Sequence, residues 1–229
     1  MINQDTRFLR NSTLIPNDKL QEVTVIGLGG TGSAFVMGAS IMGFKKISGY
    51  DSDIFLDHNL STTLYPQQYI GDKKADIAWA VGRDYGLPES DFTPHHWREG
   101  DSLANCVVLA LDNMEVRKQV YEQWVQNPDR EWLVDMRMGA LSAEIVVVTQ
   151  EHDTYLDHWV PSNAIPDAIC TAKHTVFTAM NTAALALSQI HKIVVDTAYF
   201  AYIWMGLDSM SIIGKELHVG NAVEESEGS

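Results

Sequence analysis

The sequence predicts an α/β protein of the Rossmann-like, doubly wound kind, with a mostly parallel sheet and an antiparallel C-terminal extension. Two observations carry that expectation. Val23 to Ile26 is a short β-branched run followed at once by a glycine turn containing Gly27, Gly29, Gly30 and Gly32, then by a helical stretch and by a strand from Ile47 to Tyr50 that ends in Asp51. That is the order of a nucleotide-binding β-α-β unit, in which glycines let the backbone approach a phosphate and the helix N-terminus faces its charge. Farther on, Cys106 to Leu111 is a continuous apolar run closed by Asp112 and Asn113. Such a run suits a parallel strand buried on both faces, with a carboxylate delivered to the same rim as the glycine turn.

The remaining elements follow in order. Residues 1–22 are polar and mixed and read as an N-terminal arm. The nucleotide-binding core spans 23–150, and its first helix should begin near Gly32 or Ser33, with Gly38, Ala39 and Ser40 keeping it thin against the sheet. After Asp53, the stretch IFLDHNLSTTLYPQQYIG is too long for a simple connector, and its polar and aromatic mixture predicts an ordered, functional loop. Asp72 to Tyr85 carries Ile77, Ala78 and Val81 at helical spacing and is stopped by Gly86-Leu87-Pro88. A third strand is expected to include Phe92 to Trp97. Met114 to Val125 reads as a helix, and Trp132 to Met136 and Ile145 to Thr149 as strands. Between Gln150 and Cys170 the pattern dissolves around His152, His158, Pro161 and Pro166, as in a crossover loop over the nucleotide rim. Residues 151–219 then hold this loop, a long helix from Thr175 to Val195 and a β extension, for substrate or dimer contacts. The acidic stretch 220–229 reads as a disordered tail.

Composition narrows the partners. The chain has 229 residues, 45% of them hydrophobic, and a formal charge of -14 from 30 acids against 16 bases. A nucleic acid or an anionic membrane would demand clustered Lys and Arg, so neither is expected as a partner. The polar start MINQDTRFLR carries no signal-peptide pattern and no apolar run reaches membrane-spanning length, which predicts a cytoplasmic protein. Cys106 and Cys170 are too few for a disulfide framework or a Cys-based zinc site.

Several further motifs occur in one order along the chain: Arg7-Phe8-Leu9-Arg10, the turn from Gly27 to Ser33, Asp51-Ser52-Asp53, Asn59-Leu60, Gly71 to Lys74, and Asp112 to Arg117. Over roughly residues 7–145 this set resembles the ubiquitin-activating-enzyme-like superfamily, the ThiF, MoeB and HesA group, whose members adenylate the C-terminal carboxylate of a small protein or peptide. The resemblance implies ATP rather than a dinucleotide, and Mg²⁺ with it. Asp51 would hold the ribose beside Asp53, and the glycine turn, Ser33 and Asn59 would meet phosphates. Lys74 would neutralise developing charge, and Asp112 would hold the metal. Arg10 would be donated by the partner in a homodimer, and the acceptor would be a ubiquitin-like protein or a peptide. Cys170, ahead of the long helix, would take over the activated carboxylate as a thioester in members that use such a step.

Blander readings stand beside these. Lys74 also suits a solvated helix lysine, Asp112 a strand-end cap, and Cys170 a small buried hydrophobe, while Arg117 reads as structural. The chain departs from the family where arginine and glutamine would follow Asn59-Leu60: Thr62 and Thr63 stand there, so a phosphate-contacting cation is missing. The paired C-x-x-C zinc sites of many bacterial members are absent too. Alternative functions are an NAD-dependent oxidoreductase, which needs only the glycine turn and Asp51, and a non-catalytic nucleotide-binding relative.

Overall fold

A computed structural model of the chain describes residues 4–164 and 175–218. Its centre is an eight-stranded sheet in the order β3-β2-β1-β4-β5-β6-β7-β8. The strands are β1 (Glu22–Ile26), β2 (Lys46–Tyr50), β3 (Glu89–Thr93), β4 (Cys106–Leu109), β5 (Trp132–Met138), β6 (Ser142–Thr149), β7 (Tyr199–Gly206) and β8 (Ser211–His218). The first five pair in parallel, and β6, β7 and β8 continue the sheet antiparallel. A short α1 (Gln4–Arg7) precedes the sheet, and the longer helices are α2 (Gly30–Met42), α3 (Lys74–Asp84), α4 (Met114–Trp124) and α5 (Val176–Val194).

Alternation of side chains along each strand sorts the core into two layers. Val23 and Val25, Cys106 and Val108, and Trp132, Val134 and Met136 face Phe35 and Ala39 of α2, Ile77 and Ala78 of α3, and Ala186 and Ile190 of α5. Val107, Leu109, Leu133, Val146 and Val148 point the other way, onto Val120, Tyr121 and Trp124 of α4 and onto Tyr155. Helices therefore cover both faces, as a parallel sheet requires. Gly38 of α2 lets α5 lie close: a Cβ there would come within 2.6 Å of Leu187.

Several boundaries differ from the sequence expectation, among them the start of β6, which is Ser142 and not Ile145. The third strand is Glu89–Thr93, so His95, His96 and Trp97 lie beyond it. Pro94 has no N–H to continue the pairing. The first long helix begins at Gly30, two residues before Gly32. Residues 165–174 and 219–229 lie outside the described residues, and with them Cys170 and the expected acidic tail.

The chain leaves β1 toward β2 and β3, then returns to β4 on the other side of β1. This makes the gap between the carboxyl ends of β1 and β4 a topological switch point, where open α/β sheets bind their ligands. Gly27 follows β1 with φ +91°, and a Cβ there would stand 2.7 Å from the carbonyl oxygen of Ala110, just past β4. Only glycine fits that crossing.

Candidate nucleotide-binding site

The glycine turn is held by partners from elsewhere in the chain. The Leu28 N–H donates to Asp51 Oδ2 at 2.7 Å, and the Asp53 N–H donates to Asp51 Oδ1 at 2.8 Å. Tyr65 donates its hydroxyl to the Leu28 carbonyl at 3.0 Å, and the Leu64 N–H donates to Ser33 Oγ at 3.1 Å. Gly30 packs so closely that a Cβ would meet the Thr62 carbonyl oxygen at 2.9 Å. The loop after Asp53 is thus ordered and clamped on the turn. At the start of α2, Gly29 offers no side-chain cap and no acid stands in the first turn. The backbone N–H groups of that turn and the positive end of the helix are left to an anion.

Asp51 sits half-buried at the carboxyl end of β2, and burial pushes its carboxyl above the ordinary range although Lys74 and the two backbone N–H groups pull the other way. Lys74 opens α3 and is buried, with Nζ 2.6 Å from Asp53 Oδ2. It is not a solvated lysine. Asn59 accepts the Leu56 N–H through Oδ1 at 3.0 Å, while its Nδ2 has no partner among the described residues. Asp112 is exposed beyond the end of β4 and likewise has no polar partner among the described residues. The cap of α4 is its neighbour Asn113, which accepts the Val116 N–H at 2.9 Å. Asp112 is therefore no cap.

The fold brings the glycine turn, Ser33, Asp51, Asp53, Asn59 and Lys74 together and sets Asp112 on the same rim. It keeps Arg10 away from them. The arm is fastened by Arg7, which donates to the carbonyls of Ser40 at 2.6 Å, Tyr85 at 2.7 Å and Gly86. These lie at the carboxyl ends of α2 and α3, whereas the site lies at their amino ends. About 15 Å of helix separates Ser40 from Gly30 at 1.5 Å per residue. Arg10 itself is exposed and has no partner among the described residues.

Tyr65 and the pairing of Asp53 with Lys74 escaped the sequence reading, as did a buried ionic cluster. Arg117 is buried against Asp135, itself 0% exposed. Asp135 Oδ2 also accepts Arg137 Nε at 2.9 Å and the Tyr155 hydroxyl at 3.1 Å. Two charged residues inside WLVDMRM, an otherwise apolar strand, were the available signal. Cys106 is inert: burial pushes its thiol far above the ordinary range.

A family model described as the ThiF family matches residues 18–222, well past the region that carried the motif resemblance. Among curated proteins none matches the chain. Solved structures resemble it in fold at low sequence identity. E. coli MccB with ATP superposes with a TM-score of 0.76 at 13% identity, over 95% of this chain and 72% of that one. The microcin C7 biosynthetic enzyme MccB in complex with N-formylated MccA gives 0.70 at 14% identity, over 97% and 75%. PaaA gives 0.67 at 12% identity, over 87% and 65%.

Proposed function

This chain belongs to the ThiF family, and from that premise we propose that it uses Mg·ATP to adenylate the C-terminal carboxylate of a peptide or a ubiquitin-like protein. The observation that carries the proposal is the convergence of the Leu28–Asp51 hydrogen bond, the uncapped first turn of α2 and buried Lys74 on one switch-point rim. A dinucleotide reading leaves Lys74 and Asp112 without a task.

The chemistry sets what these residues must do. An acceptor carboxylate oxygen bonds to the α-phosphorus, the bond from that phosphorus to its bridging oxygen breaks, and pyrophosphate leaves with the electron pair. Negative charge gathers on the phosphates as this happens. The first turn of α2 supplies N–H donors, Lys74 supplies a buried cation beside them, and Asp51 orients the ribose by accepting its hydroxyls. Unpartnered Asp112 suits Mg²⁺: among the described residues no ready-made cluster of three or more ligands exists, and Mg²⁺ is commonly held through one or two carboxylates, waters and the substrate phosphates. When bound, the ion supplies charge neutralisation on the phosphates. Arg10 would come from a second copy, since Arg7 fastens the arm at the far end of α2 and α3. Cys170 is proposed for a later thioester step, dispensable for adenylation. Among the described residues no helix is long and apolar enough to cross a membrane, and we place the reaction in the cytoplasm.

ATP–pyrophosphate exchange with a panel of candidate peptides and ubiquitin-like proteins tests the proposal. We expect exchange in the wild type and a loss of about 10²- to 10³-fold in Lys74→Ala, the range for removing one group aimed at developing charge. Mixing Arg10→Ala with Asp112→Ala should restore exchange that neither has alone, through hybrid dimers with one intact site. A second reading has one observation in its favour: Thr62, where the family carries arginine, spends its hydroxyl on the Asn59 carbonyl at 3.2 Å. Tight ATP binding with no exchange, in both the wild type and Thr62→Arg and with an acceptor shown to bind, would establish that non-catalytic reading instead.

A further inference from the structure

The ionic cluster on β5 joins two segments that border the proposed site. Asp135 and Arg137 are two residues apart on one strand and so face the α4 side of the sheet together. Arg117, from α4, donates one nitrogen to Asp135 and the other to the Leu111 carbonyl, immediately before Asp112. Arg137 donates Nε to Asp135 and Nη1 to the carbonyl of His158, in the crossover segment 150–164. That segment in turn lies against the first turn of α4. Trp159 Nε1 donates to the Met114 carbonyl at 2.9 Å, and the Ser162 N–H donates to Glu115 Oε1 at 2.9 Å. The path from Asp112 through Leu111, Arg117, Asp135, Arg137, His158 and Trp159 returns to Met114, two residues beyond Asp112.

Arg137 is poorly placed to bind a ligand itself. Its side chain is 12% exposed, Nε donates to Asp135 Oδ2 at 2.9 Å, Nη1 donates to His158 with Glu144 at 3.8 Å, and Nη2 is buried at ion-pair distance, 2.8 Å, from Asp135 without a hydrogen bond. Its fork touches both the buried carboxylate and the crossover backbone, beside Tyr155, which ties the same segment to Asp135 through its hydroxyl at 3.1 Å. A planar guanidinium can do this, and a lysine ammonium, a point charge on a flexible stem, reaches one of the two at a time.

We propose that Arg137 is a positioning residue: it seats the crossover segment, through the His158 carbonyl, against the turn that carries Asp112, and so fixes the wall under which the acceptor's carboxyl end lies. The segment's place over the acceptor rests on the adenylation reading, whereas its attachment by Arg137 does not.

Two variants separate the roles. Arg137→Gln keeps Asp135 paired with Arg117, so it is expected to fold, and Arg137→Lys restores charge without the fork. In the ligand-free protein, hydrogen exchange of the amides between 155 and 162 should accelerate about 10-fold or more in both, as expected on losing a charge-assisted hydrogen bond that holds a local unit closed. In pyrophosphate exchange, KM for the acceptor should rise about 10-fold while KM for ATP stays within about twofold, the pattern of lost acceptor binding alone. Wild-type protection in Arg137→Lys would overturn the proposal, because charge alone would then suffice. So would equal rises in both KM values, which mark general loosening. If Arg137→Gln does not fold, the lysine variant decides by the same readouts. If the wild type exchanges no pyrophosphate with any acceptor, the adenylation reading fails, and the amide protection still decides whether Arg137 seats the segment.

Discussion

Lys74 Nζ lies 2.6 Å from Asp53 Oδ2, and the two ends of this ion pair see different surroundings: the lysine side chain is 8% exposed, the aspartate 57%. The cation is thus buried behind a carboxylate that solvent, or a ligand, can reach. A buried charge is tolerated only while it is paired.

Removing the carboxylate therefore has a recoverable cost. Asp53→Ala should lower stability by about 1 to 3 kcal/mol, the range for leaving a buried polar group unsatisfied. Phosphates over the glycine turn would replace the missing anion, so ATP should raise the melting temperature of Asp53→Ala more than that of the wild type. An equal or smaller shift, measured by thermal denaturation, would place the phosphates away from Lys74.

Asp51 accepts N–H donors on both oxygens, from Leu28 and from Asp53. An amide cannot do that. Asp51→Asn must turn its NH₂ toward one of the two N–H groups, and should lose about 1 to 3 kcal/mol together with most nucleotide affinity. Calorimetric ATP titration at a temperature where the variant is folded checks the second part; wild-type affinity would remove Asp51 from the ribose.

Neighbouring glycines should separate packing from binding. A Cβ on Gly29 meets nothing within 4 Å, whereas one on Gly30 meets the Thr62 carbonyl oxygen at 2.9 Å. Gly30→Ala should destabilise by about 1 to 3 kcal/mol, as overpacking does. Gly29→Ala should leave the melting temperature nearly unchanged and weaken ATP binding, because its methyl would enter the open space where the proposed reading puts the phosphates. Unaltered ATP affinity in Gly29→Ala would move the phosphates elsewhere.

Acid should loosen the C-terminal hairpin. Burial alone would raise the Glu216 carboxyl, but hydrogen bonds with Thr154 and His158 and the nearby imidazoles outweigh it and hold the group below its ordinary value of 4.5. A carboxyl lowered in the folded state stabilises fully above its unfolded value and loses that contribution as pH falls through the folded value. Protection of the β8 amides relative to their intrinsic exchange should therefore fall as pH drops below 4.5, and Glu216→Gln should flatten this dependence. Identical pH profiles for the two proteins would show that other groups govern the hairpin.

The parts of the fold that could be read from the sequence are those with one dominant environment. Val23 to Ile26 and Cys106 to Leu109 are buried on both faces, so they appear as a β-branched run and an unbroken apolar run. Glu89–Thr93 is an edge strand reading ESDFT, half-exposed and without such a run, and the reading slid toward Phe92 and Trp97. At the site, Asp51 and the glycine turn were legible because a local motif carries them. The Asp53–Lys74 pair, Tyr65 on Leu28 and Arg137 on His158 were not, because each depends on a distant partner that no periodicity announces. Arg7 belonged to a motif associated with chemistry and instead closes two helix ends.

The way the glycine turn is held also dictates when it forms. Its hydrogen bonds join residues 23, 31 and 37 positions apart, and β4, the neighbour of β1, follows it in the chain only after β2, α3 and β3. Contacts of such long sequence separation accumulate late, after loop-closure entropy has been met. The turn is therefore expected to close later than the hairpin of β7 and β8, whose strands are nearly adjacent in sequence. During refolding from denaturant, fluorescence of a bound nucleotide analogue should rise after backbone circular dichroism has recovered most of its amplitude. On this expectation, a nucleotide would not protect half-folded chains from proteolysis.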